Sequence, residues 1–150
     1  MNEIEAFWKR FLAKKQLEES TKYLEAFHFE ATEEGANRLL ELVLSGQKRA
    51  TASSLPAWSI EGIKPRVGDY SIVTNWEGKP RCVIQTVQIT ELPFREMTYD
   101  ICKREGEDEC LETWQQNHRT FFTADGEELG YEFTEDMMVF FEDFEVVYRE

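Results

Sequence analysis

A short turn, Glu77-Gly78-Lys79-Pro80, separates two runs of strand-forming residues, Tyr70 to Trp76 and Arg81 to about Leu92. Two such runs joined by so few residues can only return antiparallel, so this hairpin is the constraint from which the rest of the fold is read. Val67-Gly68-Asp69 reads as a tight turn feeding the first strand. In the second strand Val83, Gln85, Val87, Ile89 and Glu91 share one parity, and Cys82, Ile84, Thr86, Gln88 and Thr90 the other. Neither parity is uniformly apolar, as expected where one face is core and the other meets a helix or loop. A further segment from Met137 to Tyr148 is rich in aromatics and Val, with acids at Glu142, Asp143 and Glu145. It reads as one or two strands with a bend around Glu142-Asp143.

Helical periodicity surrounds these strands. Ile4, Phe7, Trp8, Phe11 and Leu12 fall on one face of a helix from Glu3 to about Lys15, with acids at its start and lysines at its end. Tyr23 to Phe29 is a short helix or an extended connection. Thr32 caps a second helix through Leu44, with Ala36, Leu39, Leu40 and Val43 as its buried stripe, Leu42 and Leu44 on the flank, and Gly46 as its left-handed terminus. Gln47 to Ser54 is a loop or short strand. Pro56 and Pro65 bracket a loop holding Trp58 and Ile60. Phe94 to Cys102 and Glu109 to Asn117 are helical pieces separated by the acidic run EGEDE, and Asp125-Gly126 marks another turn. Neither a regular βα repeat nor a Gly-rich strand-to-helix loop appears, which argues against a doubly wound nucleotide fold. The expected class is α+β, a small curved sheet flanked by helices.

With 150 residues, 41% apolar and 13% aromatic, the chain supplies one core but not two. Thirty acidic against seventeen basic residues give a net charge of −13. That field opposes extended nucleic-acid wrapping and anionic membranes, so a nucleotide site must be local. No apolar run approaches membrane-spanning length, and no basic-then-apolar leader opens the chain. Three cysteines without a CxxC suit reduced thiols and a cytoplasmic setting. Cys82 reads as a core filler, and Cys102 and Cys110 as residues of one partly buried helical face.

Two stretches carry candidate chemistry. In Ser45-Gly46-Gln47-Lys48-Arg49-Ala50-Thr51-Ala52-Ser53, extended geometry puts Arg49, Thr51 and Ser53 on one parity, and a turn could return Lys48 to the same pocket. A point charge, a guanidinium fork and hydroxyls suit a nucleobase, phosphate or carboxylate. The alternative is a solvated connection whose cations complement the preceding helix terminus. In Glu105-Gly106-Glu107-Asp108-Glu109, crowded carboxylates held in a cleft would resist ionisation and could move a proton. The alternative is a solvated acidic turn. His118 reads as a structural or rim residue, Tyr70, Trp58 and Trp76 as a stacking wall, and Trp114, Phe121 and Phe122 as core or interface. No metal or cofactor motif is present: HExxH, CxxC and GxSxG are all missing.

Gly46-x-Lys48-x-x-Thr51, then Val67-Gly68-Asp69, the strand ending before Pro93-Phe94, and EGEDE followed by Trp114, His118 and Phe121-Phe122 resemble, in order, the ASCH domain of the PUA-like superfamily. The resemblance runs from about Phe27 to Tyr148 and implies a small curved PUA-like β-barrel over 27–150, with 1–26 as a helical extension packed on it. It implies binding of RNA, a nucleotide or a modified nucleoside around Lys48 and Thr51, beside which this chain's own side chains offer Arg49, Ser53, Tyr70, Trp76, Arg81 and His118 as further candidate ligand contacts. The family signature ends in Arg where this chain has Ser53, so a guanidinium must come from Arg49, Arg66 or Arg81 if it is needed.

A superfamily relative removes the acetyl group from N4-acetylcytidine with a Lys, a Thr and a Glu. By that resemblance Lys48 would activate Thr51 or stabilise the oxyanion, Thr51 would be the nucleophile, and Glu105, or nearly equally Glu107, would shuttle the proton. A binding domain without chemistry and a protein-interaction module remain open beside this reading, and a homodimer is compatible with either.

Overall fold

The computed structural model describes residues 2–150. Helix α1 (Glu3–Lys15) starts where Asn2 Oδ1 accepts the Glu5 amide at 2.8 Å, and it buries Phe7, Trp8, Phe11 and Leu12. Those rings pack on Ile72 and Val83 of the sheet, with Tyr70 and Tyr148 at the border. The segment left open between helix and strand is extended: β1 (Ala26–Phe27). Helix α2 (Glu33–Ser45) is capped as expected, Thr32 Oγ1 accepting the Gly35 amide at 3.1 Å and Gly46 turning left-handed at φ 86°. Leu44 proves buried together with Ala36, Leu39, Leu40 and Val43.

Strand β2 (Ala50–Ser54) follows directly and runs into helix α3 (Leu55–Glu61). This corrects the expected proline-bracketed loop. Ser54 caps the helix by accepting the Ala57 amide at 3.1 Å, and Pro56 sits in the first turn, where its missing N–H has no intrahelical role. The hairpin forms as read, from β3 (Tyr70–Thr74) and β4 (Pro80–Pro93), and β5 (Met138–Arg149) is one continuous strand.

The five strands lie in the order β1-β3-β4-β5-β2. The β1–β3 pair is parallel and the other pairs are antiparallel. The bend expected at Glu142-Asp143 is a bulge on the partner strand: Thr86 pairs with Phe144 and Gln88 with Asp143, leaving Val87 over. Among the described residues the edge strands β1 and β2 do not pair with each other. The sheet is therefore open, where a closed barrel was expected.

After β4 the chain makes a 3-10 turn (Phe94–Glu96), helix α4 (Tyr99–Cys102), a second 3-10 turn (Lys103–Glu105) and helix α5 (Leu111–Leu129). The turn expected at Asp125-Gly126 does not exist, because α5 runs through it and ends at Gly130. Gly126 is required for another reason: a Cβ there would strike the Tyr131 carbonyl oxygen, which folds back against the helix. Cys82 and Cys102 are buried, while Cys110 is exposed just before α5, so the last two share no helical face. Three apolar clusters result, one under α2, one under α1, and one around Trp114, Phe94 and Phe141 between α5 and the sheet. The fold is α+β, and no described helix is long and apolar enough to cross a membrane.

Candidate functional site

The turn after α2 and the turn before α5 are stitched together, and this creates the site. The Arg49 amide donates to the Arg104 carbonyl at 3.1 Å, and Gln47 Nε2 donates to the Gly106 carbonyl at 2.7 Å. Gly106, at φ 75°, lies so close to the Gln47 carbonyl that any Cβ would collide with it. The glycine inside the acidic run thus lets two backbones touch, and its neighbours Glu105 and Glu107 are turned onto Lys48.

Lys48 is 2% exposed, the Lys48 Nζ donating to Glu107 Oε2 at 2.6 Å and to the Ala50 carbonyl at 2.8 Å. The Phe29 ring centroid lies 5.1 Å from the same nitrogen. Glu105 is 1% exposed and accepts from Trp114 Nε1 at 3.0 Å, with His118 Nε2 at 3.4 Å. His118 stacks on Trp114 at 4.1 Å and turns Nδ1 to the Trp114 carbonyl at 2.8 Å. Both ring nitrogens therefore face acceptors, which suits the doubly protonated imidazolium.

The electrostatics agree with that geometry. Burial pushes Glu105 up, but the Lys48 charge and the His118 and Trp114 hydrogen bonds outweigh it, leaving its pKa lowered. Burial raises the Glu107 pKa and the charge of Glu105 adds to this, against the pull of Lys48. Burial would lower the His118 pKa, but its contact with Glu105 prevails and raises it. One buried ammonium thus serves two carboxylates of different character, the pKa of Glu105 lowered and that of Glu107 raised.

These groups line one cleft of about 430 Å³, together with Thr51. The acidic run is accordingly not a solvated turn at Glu105 and Glu107, and His118 is bonded into the site rather than idle at a rim. The cleft also takes residues not expected at a site, Phe29, Glu30, Arg38 and Asn117, together with Phe121, which was read as core or interface. Arg38, the one basic residue of α2, brings the guanidinium sought from Arg49, Arg66 or Arg81, none of which lines this cleft.

The remaining candidates lie elsewhere. Arg49 faces a second cleft of about 520 Å³ with Arg104 and Asp143. Ser53 Oγ donates to the Phe140 carbonyl at 3.3 Å and accepts from Trp58 Nε1 at 2.7 Å. Tyr70 packs under α1, its ring 5.2 Å from Phe11. Trp76 stands beside His28 at 4.9 Å in the hairpin turn, and Arg81 lies near Arg10, Lys79 and Glu150. Arg49 and Ser53 share the parity of Thr51 yet do not line its cleft, and Tyr70, Trp76 and Arg81 lie on the β3–β4 hairpin, away from Lys48.

A family model for the ASCH domain matches residues 25–148. Among solved structures, the ASCH domain from Lactobacillus crispatus JV V101 is 36% identical, with a TM-score of 0.89 over 99% of this chain and 97% of that one. Protein EF3133 from Enterococcus faecalis V583 is 31% identical, with a TM-score of 0.88 over 97% and 88%. The hypothetical protein PH0355, 18% identical with a TM-score of 0.51 over 82% and 97%, is alike in fold. No curated protein matches the chain.

Proposed function

The chain belongs to the ASCH domain family, and from that membership we propose that it binds a small modified nucleoside in the cleft around Lys48 and Thr51. The observation that carries this reading is the convergence of Lys48, Thr51, Glu105, Glu107 and His118 on one cleft. Phe29 and Phe121 offer aromatic surface for a base, while Asn117, Arg38 and the carboxylates offer partners for its polar edge. Glu30, Glu105, Glu107 and Asp108 stand against Lys48, Arg38 and His118. That balance disfavours a phosphate inside the cleft, so the phosphate of a nucleotide or short RNA end would lie outside it. The same reading takes the open, bulged sheet as a PUA-like scaffold. Calorimetry with nucleosides, N-acetylated nucleosides and nucleoside monophosphates tests it. The expected result is saturable nucleoside binding, weakened at least about tenfold by Lys48→Ala; no binding across the set overturns it.

A second reading, hydrolysis of an N-acyl amide on that nucleoside, is favoured by the presence of the Lys, the Thr and two distinct carboxylates in one place. Thr51 Oγ would add to the acyl carbon, its proton passing to a carboxylate, while the Lys48 ammonium faces the developing oxyanion. Glu107 would protonate the leaving nitrogen, its pKa being the raised one of the two carboxyls. Glu105, tied to Trp114 and His118, would hold the others in place. Water would then release the acyl group from Thr51. A mass-resolved assay on N-acetylated nucleosides reads this chemistry, and binding without acetyl loss would leave only the first reading.

A further inference from the structure

We propose that Glu142 of β5 takes the proton from the Thr51 hydroxyl, so that a Thr51–Glu142 pair is the nucleophilic unit of the cleft. This rests on the amide-hydrolysis reading. The β2–β5 register sets Thr51 directly across from Glu142. Residues opposite one another in an antiparallel pair project from the same face, with Cβ atoms roughly 5 Å apart. Thr51 also lines the Lys48 cleft, so one member of this cross-strand pair belongs to that cleft.

The carboxyl is held from its other side. Thr86 Oγ1, on β4, donates to Glu142 Oε2 at 3.2 Å. Because β5 lies between β4 and β2, the Glu142 side chain sits with one hydroxyl on each flank, one donating and one unassigned. No buried side-chain polar atom among the described residues lacks a partner. Oε1, to which no protein group donates, is therefore open to an approaching proton. The location is otherwise a poor one for a carboxylate, since its strand neighbours Phe140, Phe141 and Phe144 are buried and no cation pairs with it among the described residues. Burial is the main cause that pushes its pKa up to about 7; Glu25, before β1, and Asp69, before β3, add negative charge, while Thr86 opposes them. A carboxyl poised there exchanges protons at neutral pH.

The cycle balances. Thr51 Oγ bonds to the acyl carbon as its proton goes to Glu142, and the carbon–nitrogen bond breaks as Glu107 gives its proton to the amine. In the second half Glu107 takes a proton from water, whose oxygen bonds to the acyl carbon. The Thr51 oxygen leaves with the proton returned by Glu142, and both carboxyls are restored.

The test uses p-nitrophenyl acetate, whose nitrophenolate needs no proton to leave, so that only the first transfer is read. Intact mass and peptide mapping locate the acetyl group in the whole chain. The expected result is acetylation at Thr51 at a rate that rises with pH through about 7. Glu142→Gln, isosteric and still able to accept from Thr86, is expected to slow it about 100-fold and flatten the pH profile. Glu145→Gln, at an exposed position on the same strand, keeps the wild-type rate. Wild-type protein unlabelled at Thr51, or Glu142→Gln labelled at the wild-type rate, overturns the pair. Labelling that depends on Glu142 without turnover of any N-acyl nucleoside upholds the pair and removes the substrate reading. Nucleoside turnover indifferent to Glu142→Gln does the reverse.

Discussion

Lys48 meets Glu107 at 2.6 Å in a place where the lysine side chain has almost no contact with solvent. A buried ion pair contributes little compared with an apolar replacement of both members, but loss of one member leaves the other charge stranded. Here two carboxylates would be stranded. Lys48→Ala is expected to cost about 3–5 kcal/mol near neutral pH, read by urea unfolding. The loss should shrink at pH 5, where Glu105 and Glu107 can take up protons. An equal loss at both pH values would count against the charge argument.

His118 and Glu105 give the opposite pH sign. The His118 pKa is raised in the folded chain, so its stabilising contact is fully present below the unfolded value near 6.5 and is lost as pH rises through the folded value. The Glu105 pKa is lowered, so its contribution is present above its unfolded value and fades as pH falls through the folded one. His118→Gln should therefore destabilise more at pH 6 than at pH 9. Paired unfolding curves check this, and a pH-independent difference would refute it.

Glu142 stands near 7, far above an ordinary carboxyl. The folded state accordingly holds a proton that the unfolded chain releases, and this contribution to stability is lost between about pH 4.5 and 7. Glu142→Gln should be the more stable form above pH 7, by about 2–3 kcal/mol. The two should converge below pH 4.5. Chemical unfolding at pH 4 and 8 provides the comparison.

Gly126→Ala should be damaging even though it improves helix propensity. A glycine-to-alanine change inside an exposed helix gains about 1 kcal/mol. At this position the new methyl meets the Tyr131 backbone oxygen, and a net loss of about 2 kcal/mol is expected. Thermal unfolding decides, and a rise in Tm would show that the tail of α5 can move aside.

The first two helices, the hairpin and the last strand were legible because their periodicity and caps are local. Helix α3 was not: its signals, Ser54 and Pro56, are those of a helix start, but the flanking prolines and the short Leu55–Glu61 span read equally as a loop. Asp125-Gly126 failed in the other direction, since a glycine needed for close backbone approach has the same letter as one needed for a turn. At the site, the motif residues Lys48 and Thr51 and the acidic run were visible. Arg38 and Asn117 were not, because each occupies an ordinary exposed polar position on a helix, and only the tertiary fold brings the two helices to the rim of one cleft.

Strand β4 supplies Cys82 and Ile84 to the cluster under α2, Val83 to the cluster under α1, and Leu92 to the flank of the cluster around Trp114. A single ribbon thus threads all three clusters and couples them through one backbone. Amide exchange in α1, which contributes no side chain to the Lys48 cleft, should therefore proceed through the same whole-molecule opening as exchange in β4. A ligand seated against Lys48 would slow exchange in that distant helix as much as in the strands beneath it.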